Sequence, residues 1–462
     1  MSATSNFGST TNSASAAALA KIDAAKNSDW VLCRGIREML RCDESGVVQG
    51  IAHYVISQHR SLRLLSALIE KTRNSPLPGL IALIGWLRSF LSVRSIKDRE
   101  DGVWIARLSN ERRAIEPFLS LSSDLNWHEL EFRPLPDPTA LLALLKGRNP
   151  KAIFRITRRL HRRYHFFKVL RVIEFIGFHT RYAEIFQQGD FKIALVSNHS
   201  NPHGIAFNLA ARKLRIPTVL ITHGMPVRPV ARLSYNLAVV HNEAAHQSYA
   251  EDGCLMGRVL IHGRRQNYAA MPKALPYSLS AGIFLCKDVN EHRLRTLTAE
   301  LLSQTRIGRV LIRPHPKNLW KGLPKWIESL RDGRVTLSSC GSVSNDIQQV
   351  DIVLGGNSSV LVDAVTAGRP VAFVANLDSG PPDLHCFVAR GLVYSFDDDW
   401  NPDAMLNFYH RPEWPARLKV FANIDEDPEQ VRKRAVAIMS ELALEARSPI
   451  SRSLPHKVAR DH

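Results

Sequence analysis

The sequence has few of the cysteine patterns that stabilise small secreted domains and zinc modules. Its 462 residues include six cysteines, with no CxxC pair and no Cys/His spacing typical of a metal site. They are Cys33, Cys42, Cys254, Cys286, Cys340 and Cys386. Because disulfide scaffolds and zinc modules need characteristic cysteine spacings, neither is expected, and a reducing compartment is favoured.

Long apolar runs are also missing. The most apolar stretch, Gly79 to Val93, is interrupted by Arg88 and is shorter than a bilayer crossing requires. It is predicted to be a buried helix, with a helix on a membrane surface as the alternative. The N-terminus lacks the basic start and apolar centre of a secretory signal, so residues 1–29 are predicted to be a mobile leader.

Acidic residues are too few to balance the basic ones. The 61 Lys and Arg residues exceed the 43 Asp and Glu residues, which gives a formal net charge of +18. This excess indicates an anionic partner, and nucleic acid, a nucleotide or sugar phosphate, and an acidic membrane all qualify. Residues 151–171 are especially basic and are predicted to form an amphipathic helix on an anionic membrane. A helix that tracks a polyanion and an ordinary solvated helix are the alternatives.

Apolar spacing indicates how the chain is organised. It is helical from about residue 30 to 99, and a short strand at 103–109 is predicted at the edge of a sheet. From Lys192, short β-branched runs alternate with helical stretches, as in a doubly wound parallel sheet. The alternation stops at 267–280, a linker candidate, and then restarts.

The predicted fold class is therefore α/β, with two Rossmann-like doubly wound domains that face a cleft and a helical N-terminal extension. The predicted domains are 30–275, 281–400, and C-terminal helices with a basic tail at 401–462. Ligands of open α/β sheets bind beyond the carboxyl ends of the strands, so residues that follow strands are the site candidates.

Two strand ends in the first predicted domain carry polar candidates. These are Asn198, His199 and His203 after KIALVS, and His223, Gly224 and Arg228 after PTVLIT. The first group is predicted to face a ligand in the cleft, with helix capping as the alternative. His223 is predicted to be a general base because the pKa of imidazole lies near neutrality. Gly224 lets a substrate approach it closely.

Two strand ends in the second predicted domain indicate a phosphate site. The candidates are Arg313, His315 and Lys317 after RVLI, and Gly356, Asn357, Ser358, Ser359 and Asp363 after DIVLG. Cationic donors on a proline-fixed turn suit a diphosphate, and glycines that lead into a helix can expose backbone N–H groups to an anion. The loop is neither a Walker A motif nor a GxGxxG motif, since both patterns are absent.

The ordered motifs THGMP, RPHPK and GGNSSVLVDAVTAGRPV resemble metal-independent glycosyltransferases of the GT-B architecture. The similarity is greatest to the bacterial surface-carbohydrate branch, which includes capsule polymerases, polysialyltransferase-like enzymes and CDP-glycerol glycerophosphotransferases. Residues 197–227 resemble the segment that ends in a QHG or WHG turn in those proteins. The resemblance covers roughly residues 192–394.

The resemblance implies roles at matching positions. His223 would be the catalytic base, and His315 would contact the phosphates of the donor. Ser358 and Ser359 match the paired hydroxyls that hold the donor, and Asp363 matches the acidic residue of an S-S-x-x-x-D pattern. Thr222 departs from the pattern, because Gln or Trp is commoner there, and this leaves the acceptor class open.

The predicted function is therefore that of a metal-independent, inverting glycosyltransferase of the cell envelope. It would move a sugar or polyol phosphate from a nucleotide-activated donor, bound by the C-terminal half, to a polysaccharide or lipid-linked glycan on the N-terminal half. No metal, no other cofactor and no nucleic-acid partner is predicted. The expected location is cytoplasmic, with peripheral attachment to the inner membrane face.

Two alternatives to this function are an NDP-sugar 2-epimerase and a basic protein that binds nucleic acid. Val362-Asp363 replaces the acidic pair usual in such epimerases, which argues against the first. The second explains the charge but not the strand-end histidines.

Overall fold

The computed structural model describes most of the chain from residue 67 to residue 447. The described residues are 67–72, 74–94, 101–132, 150–162, 164–226, 230–263, 268–316, 320–339, 341–378, 380, 382–397, 400–422 and 426–447. The predicted leader, the start of the predicted helical extension and the basic tail lie outside the described residues.

The first half of the described chain builds a six-stranded sheet with helices on both faces. Its strands β1–β6 are Gly102–Ile105, Trp127–Glu129, Ile193–Val196, Thr218–Ile221, Ser234–Val240 and Leu255–Ile261. Its helices α1–α6 are Leu77–Leu91, Ser109–Leu119, Pro150–His161, Phe166–Gln188, Pro202–Lys213 and Glu243–Glu251. The strands are parallel, in the order β2-β1-β3-β4-β5-β6. The strand predicted at 103–109 is therefore β1, and it lies inside the sheet rather than at its edge.

The second half builds another six-stranded parallel sheet. Its strands β7–β12 are Leu279–Phe284, Ile307–Arg313, Val335–Leu337, Ile352–Gly355, Val371–Val374 and Tyr394–Phe396. The helices α7–α13 are Glu291–Ser303, Leu323–Leu330, Val343–Gln348, Val360–Thr366, Pro402–Tyr409, Trp414–Phe421 and Pro428–Arg447. The strand order is β12-β11-β10-β7-β8-β9. Both predicted doubly wound sheets are thus confirmed.

Alternation of side chains along the strands separates two apolar clusters in the first half. Ala194 and Val196 of β3 face the cluster beneath α4 and α5, whereas Ile193 and Leu195 face the opposite side. That opposite side is covered by α2 and by α13, which returns from the C-terminus of the chain. The sequence predicted the helix α13 but gave no sign that it packs on the first sheet.

The predicted helix at 79–93 and the predicted basic helix at 151–171 both differ in detail from expectation. The first is α1, which packs against α3 and α4 but leaves Leu80 48% and Ile84 56% exposed. The second is divided into α3 and α4, and His165 caps the start of α4. No helix in the described part of the chain combines the length and hydropathy that a membrane span requires.

Each sheet has a point where the strand order reverses. In the first sheet it lies between β1 and β3, and in the second between β7 and β10. Loops that leave neighbouring strands in opposite directions open a crevice at the carboxyl ends of those strands. The site candidates lie along these carboxyl ends.

Candidate functional site

His223 follows β4 and is half-buried at the carboxyl end of the first sheet. Its Nδ1 lies 3.1 Å from the backbone oxygen of Ser197 and 3.1 Å from the Ser197 hydroxyl, both at the end of β3. A carbonyl oxygen can only accept a hydrogen bond, so this contact places a proton on Nδ1 and leaves the lone pair on Nε2. The imidazole is therefore oriented as a base would need to be.

A cavity of about 80 Å³ joins His223 to the second sheet. His223, Gly224 and His241 line it from one side, and Ser359 and Asp363 of α10 line it from the other. Four residues predicted from sequence thus converge on one space. A sugar nucleotide needs several hundred Å³, so this cavity by itself is too small to enclose one.

A larger cavity, about 350 Å³, lies on the other side of His223. It is lined by Asn110, Arg113, Ala114, Pro117, Phe118, Ile221, Thr222, His223, Val239, His241, His262 and Arg432. We call it the histidine cavity, because β4, β5 and β6 are followed by His223, His241 and His262. His241 and His262 were not among the residues predicted from sequence, although each follows an apolar run as His223 does.

Asn198, His199 and His203 do not face the cleft, and their predicted contact with an acceptor is corrected here. Their exposed fractions are 3%, 5% and 1%. The side-chain oxygen Oδ1 of Asn198 accepts from the backbone N–H groups of Ser200 and Asn201, at 3.0 and 2.7 Å, and so closes the turn before α5. The Nδ1 atom of His199 lies 2.7 Å from the Tyr249 hydroxyl. Helix capping and packing therefore account for the positions of all three side chains.

Glu111 in α2 is the centre of this buried polar group. Its carboxylate accepts from the N–H groups of Arg107 and Leu108, at 2.7 and 3.2 Å, and from the Asn198 amide at 2.7 Å. It thereby links the end of β1 to the end of β3.

Burial would raise the pKa of the Glu111 carboxyl, but the His203 ring and these hydrogen bonds lower it to about 2. Burial lowers the pKa of His203, and lowers that of His199 to about 3. Burial therefore opposes the charged form of both imidazoles, whereas the Glu111 carboxyl is ionised at neutral pH.

Arg313, a predicted phosphate ligand, has partners within the second half of the chain. Its guanidinium forms an ion pair with Asp346 and donates to the backbone oxygen of Gly341 at 2.9 Å. The Ser338 hydroxyl donates to the same carboxylate at 2.5 Å. Asp346 neutralises the cation and Gly341 takes a further N–H, so Arg313 braces β8, and these partners compete with its predicted phosphate contact.

The loop Gly356 to Ser359 is held by Asp378 rather than left open as an anion cradle. The Asp378 carboxylate accepts from the N–H and the side-chain amide of Asn357, at 2.7 and 2.9 Å. A Cβ added to Gly356 would lie 2.1 Å from an Asp378 oxygen, so glycine is needed there. An anion at the Asn357 N–H would have to displace this carboxylate, and the anion contacts of Gly356 and Asn357 stay predictions.

The other predicted donor-side residues have simpler outcomes. His315 is half-buried after β8, and Ser359 is exposed at the start of α10. Ser358 accepts a long hydrogen bond, 3.4 Å, from the N–H of Val360. Lys317 and Arg228 lie outside the described residues.

Side chains that the sequence analysis did not single out join the two halves. The Asn242 amide donates to the backbone oxygen of Phe421 at 2.7 Å. Arg390 pairs with Glu251 at 3.2 Å and donates to the backbone oxygen of Ala244 at 3.0 Å. Asn242 and Phe421 also line the small cavity, so the first of these contacts lies at its wall.

His385 adds a contact beside the turn that carries His223. Its ring donates to the backbone oxygen of Pro226, and burial lowers the pKa of His385 despite nearby carboxylates. The segment around it has no strand or helix periodicity, and no sequence signal pointed to it.

Within the described residues, no group of His, Cys, Asp and Glu side chains is arranged to hold a metal ion. The strand-end histidines therefore do not form a metal centre in that part of the chain. The predicted independence of metals remains a prediction.

No protein-family model matches the chain, and no curated protein matches it in sequence. Solved structures do resemble it. One is a UDP-GlcNAc 2-epimerase from Neisseria meningitidis bound to UDP-GlcNAc, with 14% identity, 74% of this chain and 99% of that one covered, and a TM-score of 0.41. Another is the lipopolysaccharide outer core galactosyltransferase WaaB, with 11% identity, 74% and 99% coverage, and a TM-score of 0.42. A third is the glycosyltransferase SnogD from Streptomyces nogalater, with 11% identity, 74% and 100% coverage, and a TM-score of 0.40.

Proposed function

We propose that the protein is a glycosyltransferase that uses a nucleotide-activated donor. One observation carries the proposal: His223, at the end of a strand in the first sheet, shares a cavity with Ser359 and Asp363 of the second. A base on one wall and hydroxyls at a helix start on the other suit a reaction between two substrates held by different halves. The motif resemblance supports the same assignment.

In the proposed reaction, Nε2 of His223 takes the proton of an acceptor hydroxyl. The hydroxyl oxygen attacks the anomeric carbon of the donor as the bond from that carbon to the phosphate oxygen breaks. The nucleoside phosphate leaves with the bonding electrons, and attack from the opposite face inverts the carbon. If the transferred group is a polyol phosphate, phosphorus is attacked instead.

Negative charge collects on the leaving phosphate, and groups of the second half would stabilise it. His315 and the hydroxyls of Ser358 and Ser359 remain for this task, since Arg313 is paired with Asp346. Hydrogen-bond donors placed where charge develops lower the barrier without a metal. Asp378 restricts where the phosphates can lie, because its carboxylate would repel them from the Asn357 N–H.

Nucleotide binding tests the proposal directly. CMP, CDP, UDP and GDP are compared by thermal unfolding, because a ligand that binds the native state at about 100 times its Kd stabilises it by about 2.7 kcal/mol. We expect one nucleotide to raise the Tm and Ser359→Ala to reduce that rise. Ser303→Ala, an exposed serine on α7, is the matched control and should leave it unchanged.

The matching nucleotide sugar then separates the alternatives. Conversion of the donor alone to an isomer would identify an epimerase, and release of nucleotide only with a glycan acceptor would identify the transferase. Salt-dependent binding to DNA or RNA with no nucleotide-induced rise in Tm would overturn the proposal.

We also propose that α1 and α3 attach the protein to an anionic membrane. Leu80 and Ile84 are one helical turn apart and exposed on α1, which contains no acidic residue. On α3, Arg155, Arg158 and Arg159 are exposed and acidic residues are again absent. Exposed aliphatic side chains beside cations complement a bilayer that carries negative headgroups.

The two helices pack against each other. The Phe154 ring of α3 lies so close to Gly79 of α1 that a Cβ at residue 79 would be 2.6 Å from it. The helix that carries Leu80 and Ile84 is therefore in contact with the helix that carries the arginines, and in this proposal both sets of side chains meet the membrane together.

Sedimentation with vesicles of phosphatidylglycerol and phosphatidylcholine tests this surface. We expect Leu80→Gln/Ile84→Gln and Arg155→Gln/Arg158→Gln/Arg159→Gln each to reduce binding. Leu255→Gln/Leu444→Gln removes leucines that are 69% and 60% exposed elsewhere and should have no effect. The proposal would be refuted if the intact protein did not sediment with the vesicles, or if the Leu255→Gln/Leu444→Gln control lost as much binding as the other variants.

A further inference from the structure

The histidine cavity is formed by three consecutive strands of the first sheet. β4, β5 and β6 are parallel neighbours, so the residues that follow them lie side by side. Those residues are His223, His241 and His262, and all three line the cavity. Three imidazoles in one row therefore supply hydrogen-bonding groups to the cavity.

Two arginines complete the wall of this cavity. Arg113 comes from α2 and Arg432 from α13, the helix that returns from the C-terminus. Arg432 pairs with Glu429, whereas Arg113 has no carboxylate partner among the residues that the structure describes. None of the described residues that line the cavity carries a carboxylate. Its charge is therefore positive.

Apart from Asn110 and Thr222, the remaining lining is apolar. Pro117, Phe118 and Val239 contribute to it, and the Phe118 ring centre lies 5.5 Å from that of His262. An aromatic face with hydrogen-bonding groups around it suits a sugar ring, and a volume of about 350 Å³ admits a ligand of one or two rings.

We propose that the histidine cavity binds an anionic acceptor, a sugar unit that carries a carboxylate or phosphate group. This inference rests on the proposed function, because His223 lines both this cavity and the one that it shares with Ser359 and Asp363. An acceptor seated here would place a hydroxyl near the His223 ring. Its anionic group would pair with Arg113, which fixes its orientation.

Calorimetric titration of the full chain tests the inference with three probes at equal ionic strength: glucuronate, glucose 6-phosphate and glucose. We expect an anionic probe to bind about two- to fivefold more tightly than glucose, since Arg113 is exposed and an exposed ion pair is worth up to about 1 kcal/mol. A preference for glucuronate indicates a carboxylate acceptor, and a preference for glucose 6-phosphate indicates a phosphate acceptor.

A variant locates the binding in the cavity. Arg113→Gln should remove the preference, whereas Arg112→Gln, its neighbour on α2 that pairs with Glu129, should keep it. Equal binding of all three probes, or the same loss in both variants, would overturn the inference.

The probe titration and the nucleotide Tm comparison together distinguish the two proposals. If a nucleotide raises the Tm but the probes show no preference for charge, the acceptor inference fails and the transferase proposal stands. If the anionic probes bind through Arg113 but no nucleotide binds, the transferase proposal fails and the anion site stands.

Discussion

Replacing Glu111 by Gln would test whether a buried carboxylate fixes the carboxyl end of the first sheet. Glu111 is 1% exposed, and its oxygens are bonded to two backbone N–H groups and to the Asn198 amide. Asn198 cannot turn its amide round, because its oxygen already accepts from Ser200 and Asn201. In the variant the new amide N–H₂ would therefore face either the Asn198 amide N–H₂ or the N–H groups of Arg107 and Leu108.

The size of the effect follows from the pKa of Glu111. The value falls from 4.5 to about 2 on folding, a difference of 4.5 − 2 = 2.5. At about 1.36 kcal/mol for each pH unit, the ionised carboxylate contributes about 3 kcal/mol to the free energy of unfolding at neutral pH. Because the folded-state pKa is lowered, this contribution is complete above pH 4.5 and is lost as the pH falls towards 2. At about pH 3.5 about 2 kcal/mol should remain.

Urea unfolding of both proteins between pH 7 and pH 3.5 measures this difference. We expect Glu111→Gln to be less stable by about 3 kcal/mol at pH 7, with a gap that narrows as the pH falls. Glu116→Gln on the same helix, where the side chain is 52% exposed, should change stability by less than about 0.5 kcal/mol. A gap that does not depend on pH would refute the reasoning.

Two further predictions concern stability and the donor site. Burial lowers the pKa of His199 to about 3 and of His179 to about 4, so the unfolded chain takes up protons first below pH 6.5. Urea unfolding should show a loss of about 2 kcal/mol for each histidine between pH 7.5 and pH 5, and constant stability would contradict this. Arg313→Ala should lower the Tm, because Asp346 loses its partner, yet leave the nucleotide Kd within about twofold. A large rise in that Kd would show that Arg313 binds the donor.

The sequence predicted the features that depend on local pattern. Strand runs such as KIALV and DIVLG have the β-branched composition of buried parallel strands, and both are strands in the structure. His223 was found because a polar residue at the end of such a run lies at the carboxyl edge of the sheet. His241 and His262 follow runs of the same kind, so the same rule could have found them.

Contacts between distant segments could not be predicted in this way. The amphipathic pattern of α13 gives an apolar face but does not say that this face covers the first sheet. The partners of Arg313 and Asn357 are Asp346 and Asp378, 33 and 21 residues away, and no spacing rule connects them. At both residues a carboxylate takes a donor group that was predicted to contact phosphate.

Turnover by His223→Ala tests the central claim most directly. The claim is that His223 removes the acceptor proton, and a general base contributes roughly 10²–10⁴ in rate. Single-turnover transfer, measured with the nucleotide sugar and acceptor identified above, should fall by about that factor while the nucleotide Kd stays unchanged. His292→Ala, an exposed histidine on α7, should transfer at the wild-type rate. Transfer by His223→Ala at the wild-type rate would contradict the account.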